Sequence, residues 1–321
     1  GCFSHIHEWT IAGLGTMPTN GPLQTQVGDQ KDADSGYRSR IDKNTEEAPI
    51  GYYRVLLSDY DILAELTATT RCGFQRYTFP GDREGSRVLF DLMIPSEYRY
   101  KLLEVYLKKT GENTLEGYSH QLCPNTWSGG ISQEYKVHFV AEFDRAISGF
   151  SVWTEDGVQE GVDELKIKNI KDAGAIVNFD TQDHQVVQLR TGISYVSIEN
   201  ARETQESEIP KPFGWDYDAD RQNHVNAWEE LMQRVKISSQ DKREKMRFYN
   251  TFYRSLCSRN IFSDVNGEWR DADERIRTME DPASPALGCD AFWNTFWNLN
   301  QFWNLVTPEW SNRWVKSQLA M

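Results

Sequence analysis

Near residue 200 the spacing of apolar side chains changes from two to between three and four, so one kind of layer cannot account for the whole chain. Upstream, Tyr53–Val55–Leu57, Ile62–Ala64–Leu66–Ala68, Val88–Phe90–Leu92–Ile94 and Tyr135–Val137–Phe139–Ala141–Phe143 alternate with polar neighbours. The segments Gly149–Thr154, Ala175–Asp180 and Val186–Val196 continue the pattern, with Pro80-Gly81-Asp82 closing one strand. Alternation of this kind places one face of each strand in a core, and many such strands with no helical period predict an antiparallel β-sandwich. Downstream, Val225, Trp228, Met232 and Val235 form one helical stripe, and Met246, Tyr249, Phe252, Tyr253 and Leu256 a second. Ser238 or Ser239 is the expected cap of that second helix. The predicted order is a sandwich over residues 1–205, a linker with a helix over 206–240, and the start of a helical domain over 241–321. The polar, proline-containing stretch 201–220 reads as the hinge.

The helical part contains a segment that suits neither water nor oil. Between Asp290 and Glu309 there is no charged residue, yet five Asn or Gln side chains and three Trp lie there. On a helix over 292–306, Phe292, Thr295, Phe296, Leu299, Phe302, Trp303 and Val306 make a core stripe. The opposite face carries Trp293, Asn294, Trp297, Asn298, Asn300, Gln301 and Asn304. Amides donate to and accept from hydroxyls while indole faces cover C–H surface, so this face fits a neutral polyhydroxyl ligand. Thr307 followed by Pro308 is the expected start of another helix.

At the other end of the chain, residues 1–50 read as loop with short strands. There His5 and His7 share a strand face, followed by Glu8 and Trp9. The residues alone allow either a ligand-contacting cluster or a hydrogen-bonded pair beside a domain junction. Further ligands at zinc spacing do not accompany them. His120, His138 and His184 read as structural residues of strands. Asn266-Gly267 marks a turn in a loop or short hairpin, and Asp264, Asp271, Asp273 and Asp281 around it lack calcium-loop spacing and read as a solvated acidic loop.

The balance of charge narrows the partners. A net charge of −13 and a pI near 5.0 argue against nucleic acid or an anionic membrane. Five cysteines, Cys2, Cys72, Cys123, Cys257 and Cys289, are scattered without a CxxC pair and predict neither a disulfide framework nor zinc. No apolar run reaches membrane length, so no membrane insertion is expected. Residue 1 is Gly, and the last residues, WVKSQLAM, continue a helical pattern without a breaker. The expectation is a fragment lacking both ends.

Several stretches resemble glycoside hydrolase family 92, the calcium-dependent exo-α-mannosidases abundant in gut Bacteroides. GCFSHIHEW at residues 1–9 is similar to that family's G-F-S-H-x-H element. Ser39-Arg40, with residues 49–57 (PIGYYRVLL), is similar to its S-R…P-G-Y-Y-x-V-x-L segment. The run from Ala64 to Pro80 follows A-E-L-T-A-T-x-R-x-G-F-x-R-Y-x-F-P almost unbroken. FYNTFYRSL and NIFSDVNGEW are similar to later family elements. FWNTFWN with TPE stands where the family has W-D-T-[FY]-R and Q-P-E.

The resemblance implies a sandwich joined by linker helices to an (α/α)6 barrel, with the active site at their junction. It implies inverting hydrolysis of terminal α-mannosyl linkages, with a glutamic acid as proton donor, an aspartate as base, and calcium helping to distort the mannose. In the family those carboxylates and the calcium ligands come from later barrel helices, expected beyond Met321, so none within this chain is expected to be catalytic or to bind metal. His5, His7, Glu8, Trp9, Trp293 and Asn294 become the implied sugar contacts, and a mannose-containing glycan the implied partner. Asn294 stands in place of the family's Asp and Trp297 in place of its Arg. An amide still bridges hydroxyls but without charge-assisted strength, which opens a variant glycan or linkage. The alternative is a carbohydrate-binding protein of the same fold without turnover. A periplasmic, cell-surface or secreted location is implied by the resemblance alone. Oligomeric state is left open.

Overall fold

In the computed structural model of the chain, the described residues are 3–7, 12–29, 31–93, 100–123, 130–182, 185–257, 259–271, 273–281, 283–288 and 294–321, with the backbone alone for 4–7, 12 and 13. They divide into two compact units, Gly1–Asp220 and Arg221–Met321.

The first unit is built from strands. In chain order they are β1 (Phe3–His7), β2 (Ala12–Thr19), β3 (Ile41–Glu47), β4 (Tyr53–Leu57) and β5 (Ile62–Ala68). Next come β6 (Cys72–Thr78), β7 (Arg87–Asp91), β8 (Lys101–Lys109), β9 (Thr114–Cys123) and β10 (Gln133–Phe143). Last are β11 (Gly149–Thr154), β12 (Gly157–Glu160), β13 (Glu164–Lys168), β14 (Ala173–Asn178) and β15 (Val186–Ser194). Among the described residues they form a six-stranded sheet, β1-β2-β7-β14-β11-β12, and a nine-stranded sheet, β13-β8-β9-β10-β15-β6-β5-β4-β3. The pairings within both sheets are antiparallel. The expected sandwich is therefore present.

Its core is the inner faces of the two sheets. Phe90 of β7 stacks on Phe139 of β10 at 6.2 Å and meets Phe143 edge-on at 6.1 Å. Trp153, Leu89, Val88, Ile176 and Leu189 fill the space around them. Each such side chain stabilises the fold by roughly 1.5–3 kcal/mol of transfer free energy. The edge strand β12 is exposed throughout and carries Glu160, which discourages pairing with another chain.

The stretch read as a hinge is instead helical: α1 (Ile198–Glu208), α2 (Pro210–Phe213) and the start of α3 (Tyr217–Met232). Ser197 caps α1 by accepting from the Asn200 N–H at 3.0 Å. The buried face of α1 is Asn200, Ala201, Thr204 and Gln205, which a search for apolar stripes passes over. Gln205 Nε2 donates to the carbonyls of Val140 at 3.2 Å and Arg190 at 2.8 Å, so polar side chains dock this helix on β10 and β15. Gly192 permits that approach, because a Cβ there would lie 2.5 Å from the Ala201 carbonyl oxygen. Beyond α2, Arg76 lies over the Tyr217 ring at 4.3 Å and Arg190 over Trp215 at 4.1 Å.

The division between the units falls within α3. The second unit continues with α4 (Lys242–Leu256), β16 (Asn260–Ile261), β17 (Glu268–Arg270), β18 (Ile276–Thr278), β19 (Leu287–Gly288), α5 (Leu299–Val306) and α6 (Pro308–Ala320). Asp241, rather than Ser238 or Ser239, caps α4 by accepting from the Arg243 N–H at 2.7 Å. The loop around Asn266-Gly267 is not one hairpin: β16 pairs with β19 and β17 with β18. Gly267, at φ 85°, supplies the left-handed residue of the turn. No helix among the described residues is long and apolar enough to cross a membrane.

Candidate functional site

In the first unit the histidine-bearing strand rests on a buried polar scaffold. β1 pairs with β2 through Phe3–Thr16, Ser4–Gly15, Ile6–Gly13 and His7–Ala12. His5 falls between the middle two pairs, and so does Leu14 on the partner strand. Leu14 is buried with φ 49°, a left-handed conformation that a branched side chain adopts only when its surroundings impose it. Beneath, Thr16 Oγ1 donates to Gln75 Oε1 at 3.0 Å, Tyr77 also reaches Gln75, and the Phe3 ring stacks over Tyr77 at 6.5 Å. The backbone places His5 and His7 on β1, while their side chains, and Glu8 and Trp9 altogether, lie outside the described residues.

The run from Ala64 to Pro80 turns out to be a hub of this scaffold. Glu65 forms a two-pronged pair with Arg76, at 2.8 and 2.9 Å, and accepts from Tyr52 Oη at 2.7 Å. The Arg76 hydrogen bonds are the largest of the forces that offset burial and hold the Glu65 carboxyl below its usual range. Arg71 and Thr69 bind Glu208 of α1 at 2.6 and 2.5 Å. Gln75 holds Thr16 of β2, and Tyr77 lies under Phe3 of β1. None of these side chains is free to do chemistry, and their contribution is position.

The buried Asp91 and the half-buried Asp172 also lie in this unit. Asp91 accepts from Tyr37 Oη and, at 3.0 Å, from the Met93 N–H; burial pushes it up to about 8. Asp172, raised by burial, accepts from Trp153 Nε1 at 3.2 Å and from Gln26 Nε2. Asp91 and Tyr37 are sealed from solvent, so this group holds a proton within the fold rather than passing it to a ligand. His120 and His138 are strand residues, on β9 and β10. His138 Nδ1 lies 3.2 Å from the Ser194 carbonyl and His120 Nε2 3.2 Å from Glu134; His184 lies outside the described residues.

The second unit shows what the charge-free segment does. The helix begins at Leu299, not at residue 292, with Asn298 at its N-cap position and a turn before it in which the Trp297 N–H donates to the Asn294 carbonyl at 3.3 Å. Phe296, expected in the core, is 61% exposed, and Trp297 beside it is 69% exposed. Three amides are engaged within the fold. Asn300 accepts from Arg259, Gln301 donates to the Phe296 carbonyl at 2.8 Å, and Asn304 accepts from Ser311 at 2.5 Å. Asn294 and Asn298 face solvent. Trp293 lies outside the described residues.

Arg259, a residue no sequence pattern singles out, organises this end of the unit. Its guanidinium is buried between the rings of Trp303, at 4.6 Å, and Trp314, at 4.5 Å. Trp303 in turn donates its indole N–H to the Ser255 carbonyl at 2.8 Å, tying α5 to the end of α4.

The acidic loop is less solvated than expected. Asp264 is buried, and Asp271 accepts from the Asp273 and Arg275 N–H groups and pairs with Arg277 at 2.7 Å. Asp281 accepts from the Ala283 N–H at 3.0 Å. Among the described residues, no group of three or more His, Cys, Asp or Glu side chains could hold a metal ion. These described residues do not fit a calcium site.

Residues 1–194 match the glycosyl hydrolase family 92 N-terminal domain, and residues 200–321 match the family's catalytic domain. The chain belongs to glycosyl hydrolase family 92. Among solved structures of family 92, the α-mannosidase BT3965 from Bacteroides thetaiotaomicron is 24% identical at a TM-score of 0.83, over 97% of this chain and 40% of that one. Its complex with mannoimidazole gives 25% identity and a TM-score of 0.84, over 97% and 39% of the two chains. The inverting mannosidase BT2199 from Bacteroides thetaiotaomicron VPI-5482 is 18% identical at 0.79, over 96% and 38%. The present family 92 chain therefore spans about two fifths of the length of these structures. No curated protein sequence matches it.

Proposed function

We propose that the chain supplies the sandwich and opening helices of an exo-acting α-mannosidase that hydrolyses terminal α-mannosyl linkages in glycans with inversion. The observation that carries this reading is the succession of two family 92 domains along one chain, the second of them the catalytic one. In this reading His5, His7, Glu8 and Trp9 contact the sugar from the sandwich, Trp293 covers its C–H surface, and Asn294 bridges hydroxyls. The acid and the base lie in the part of the family domain beyond Met321. Inversion asks for two carboxylates roughly 6.5–9.5 Å apart, with the attacking water between them. Calcium, on this reading, is bound by those later segments. An exported location, in the periplasm, at the cell surface or secreted, belongs to the same proposal and rests on family likeness.

The test is mannose release from α-mannobiosides. The protein comprising this chain and the remaining family domain should release mannose, while this chain alone should release none. Turnover by the purified chain, surviving removal of trace contaminating enzyme, would overturn the assignment of roles. In the complete enzyme, Trp293→Ala should weaken binding by about 1–3 kcal/mol, the worth of an aromatic surface against a sugar. Unchanged affinity by calorimetry with the fold intact would place Trp293 elsewhere. A second reading, a carbohydrate-binding protein without turnover, is motivated by Asn294 and Trp297 in place of the family's Asp and Arg. Binding without hydrolysis by the complete protein would favour it.

A further inference from the structure

The turn that precedes α5 leaves two large aromatic rings in solvent, Phe296 at 61% and Trp297 at 69% exposure. They meet edge-to-face, with centroids 5.8 Å apart and planes at 76°, an arrangement that braces the two rings while most of the indole stays in solvent. The turn itself is fixed. Trp297 N–H donates to the Asn294 carbonyl, Asn300 N–H donates to the Thr295 carbonyl at 3.0 Å, and Gln301 Nε2 holds the Phe296 carbonyl. On the same turn Asn294 and Asn298 are exposed, three residues before and one residue after the indole.

We infer that Trp297 is a stacking platform for a neutral pyranoside, with Asn294 and Asn298 binding hydroxyls at its rim. Three features choose this occupant over an apolar protein surface. Burying the two amides against apolar side chains would leave their donors and acceptors unmet, at about 1–3 kcal/mol each. A sugar satisfies them. A pyranose also offers a C–H face that matches the indole, which a wholly polar ligand does not. The sequence from 291 to 308 has no charged side chain, so a carboxylated or phosphorylated ligand finds no counter-charge there. Trp297 and Asn298 extend the contacts assigned above to Trp293 and Asn294, and Trp297 stands where the family pattern has an Arg. It thereby sets which sugar unit or linkage is accepted. That the sugar is mannose rests on the α-mannosidase reading; the stacking does not.

The experiment is proton–nitrogen NMR of this chain with its indole nitrogens labelled, the Trp297 signal being assigned by its loss in Trp297→Phe. Methyl α-mannopyranoside, methyl α-glucopyranoside and methyl α-galactopyranoside are each titrated into the high millimolar range. A saturable shift of the Trp297 signal with the mannoside is expected, and Trp297→Ala should weaken binding roughly tenfold or more, with Trp297→Phe intermediate. A Trp297 signal that stays still with all three sugars overturns the inference. So does saturable mannoside binding that moves other indoles alone, which leaves the α-mannosidase reading standing. A shift with a glucoside or galactoside and none with the mannoside supports the platform and contradicts the mannose reading. Should Trp297→Ala disturb the other indole signals, the wild-type titration decides.

Discussion

Asp91 and Asp220 are both buried in the first unit, and burial pushes Asp91 up to about 8 and Asp220 up to about 6. Among the described residues neither carboxyl oxygen of Asp220 has a hydrogen-bond partner, and the nearby charge of Glu208 adds to its shift. In the unfolded chain a carboxyl ionises near about 3.9. The stability each group contributes is therefore present in full below that value and is lost as pH rises, through about 6 for Asp220 and about 8 for Asp91. Asp220→Asn should flatten the decline in urea midpoint between about pH 4 and pH 6, and Asp91→Asn the decline that continues to about pH 8. Both variants should exceed the wild type in stability at the upper end of their range. An unchanged pH slope in either would show that the replaced carboxyl is already ionised in the folded chain. Neither group was visible in the sequence as unusual. An aspartate at a strand end or in the first turn of a helix reads as a solvated cap until its burial is seen.

At the scale of elements, legibility followed how apolar the inward face is. Strands β4, β5, β10 and β11 were readable because apolar and aromatic residues recur at every second position. Strand β9 alternates just as strictly in its burial, but its inward residues include Gly117, Ser119 and Gln121. Ser119 and Gln121 donate to the Leu92 carbonyl at 2.7 and 2.9 Å, a polar use of an inner face that hydropathy cannot register. Helix α1 escaped for the same reason, being docked by Gln205. Conversely, the apolar stripe of 292–306 overstated a helix, because Phe296 had a helical spacing and no core to enter. Among the candidate site residues, sequence could place His5 and His7 on a strand and Asn294 beside an aromatic, while the engagement of Asn300 depended on the unforeseen Arg259.

Arg259 also gives a prediction at this scale. Arg259→Ala should destabilise the second unit by roughly 2–4 kcal/mol, through two lost cation–π contacts and a cavity between α5 and α6. Arg259→Lys should recover only part, because an ammonium cannot stack flat between two indoles. Denaturation followed by indole fluorescence reads both, and a loss below about 1 kcal/mol for Arg259→Ala would contradict the packing role. In the first unit, Glu208→Ala takes from Arg71, whose side chain is 15% exposed, the carboxylate that it meets at 2.6 Å. The expected loss is about 3 kcal/mol. A neutral result in the same assay would mean that the pair does not hold α1 to β6.

For the whole molecule, the order of parts was legible and the chemistry was not. A sandwich followed by helices can be inferred from periodicity, and the membership of family 92 from motifs such as Ala64–Pro80. The residues of that motif, once placed, are scaffold: Gln75 and Tyr77 hold β1 and β2, and Thr69 and Arg71 hold α1. The surface we propose for a sugar is instead an uncharged turn at Asn294–Asn298, where Asn294 and Trp297 depart from the family pattern. The proposal that this chain belongs to an inverting α-mannosidase meets its sharpest test in proton NMR during hydrolysis of an aryl α-mannoside by the complete enzyme. β-Mannose is the expected first product, with the α anomer appearing afterwards by mutarotation. Release of α-mannose first, or no hydrolysis at all, would contradict it.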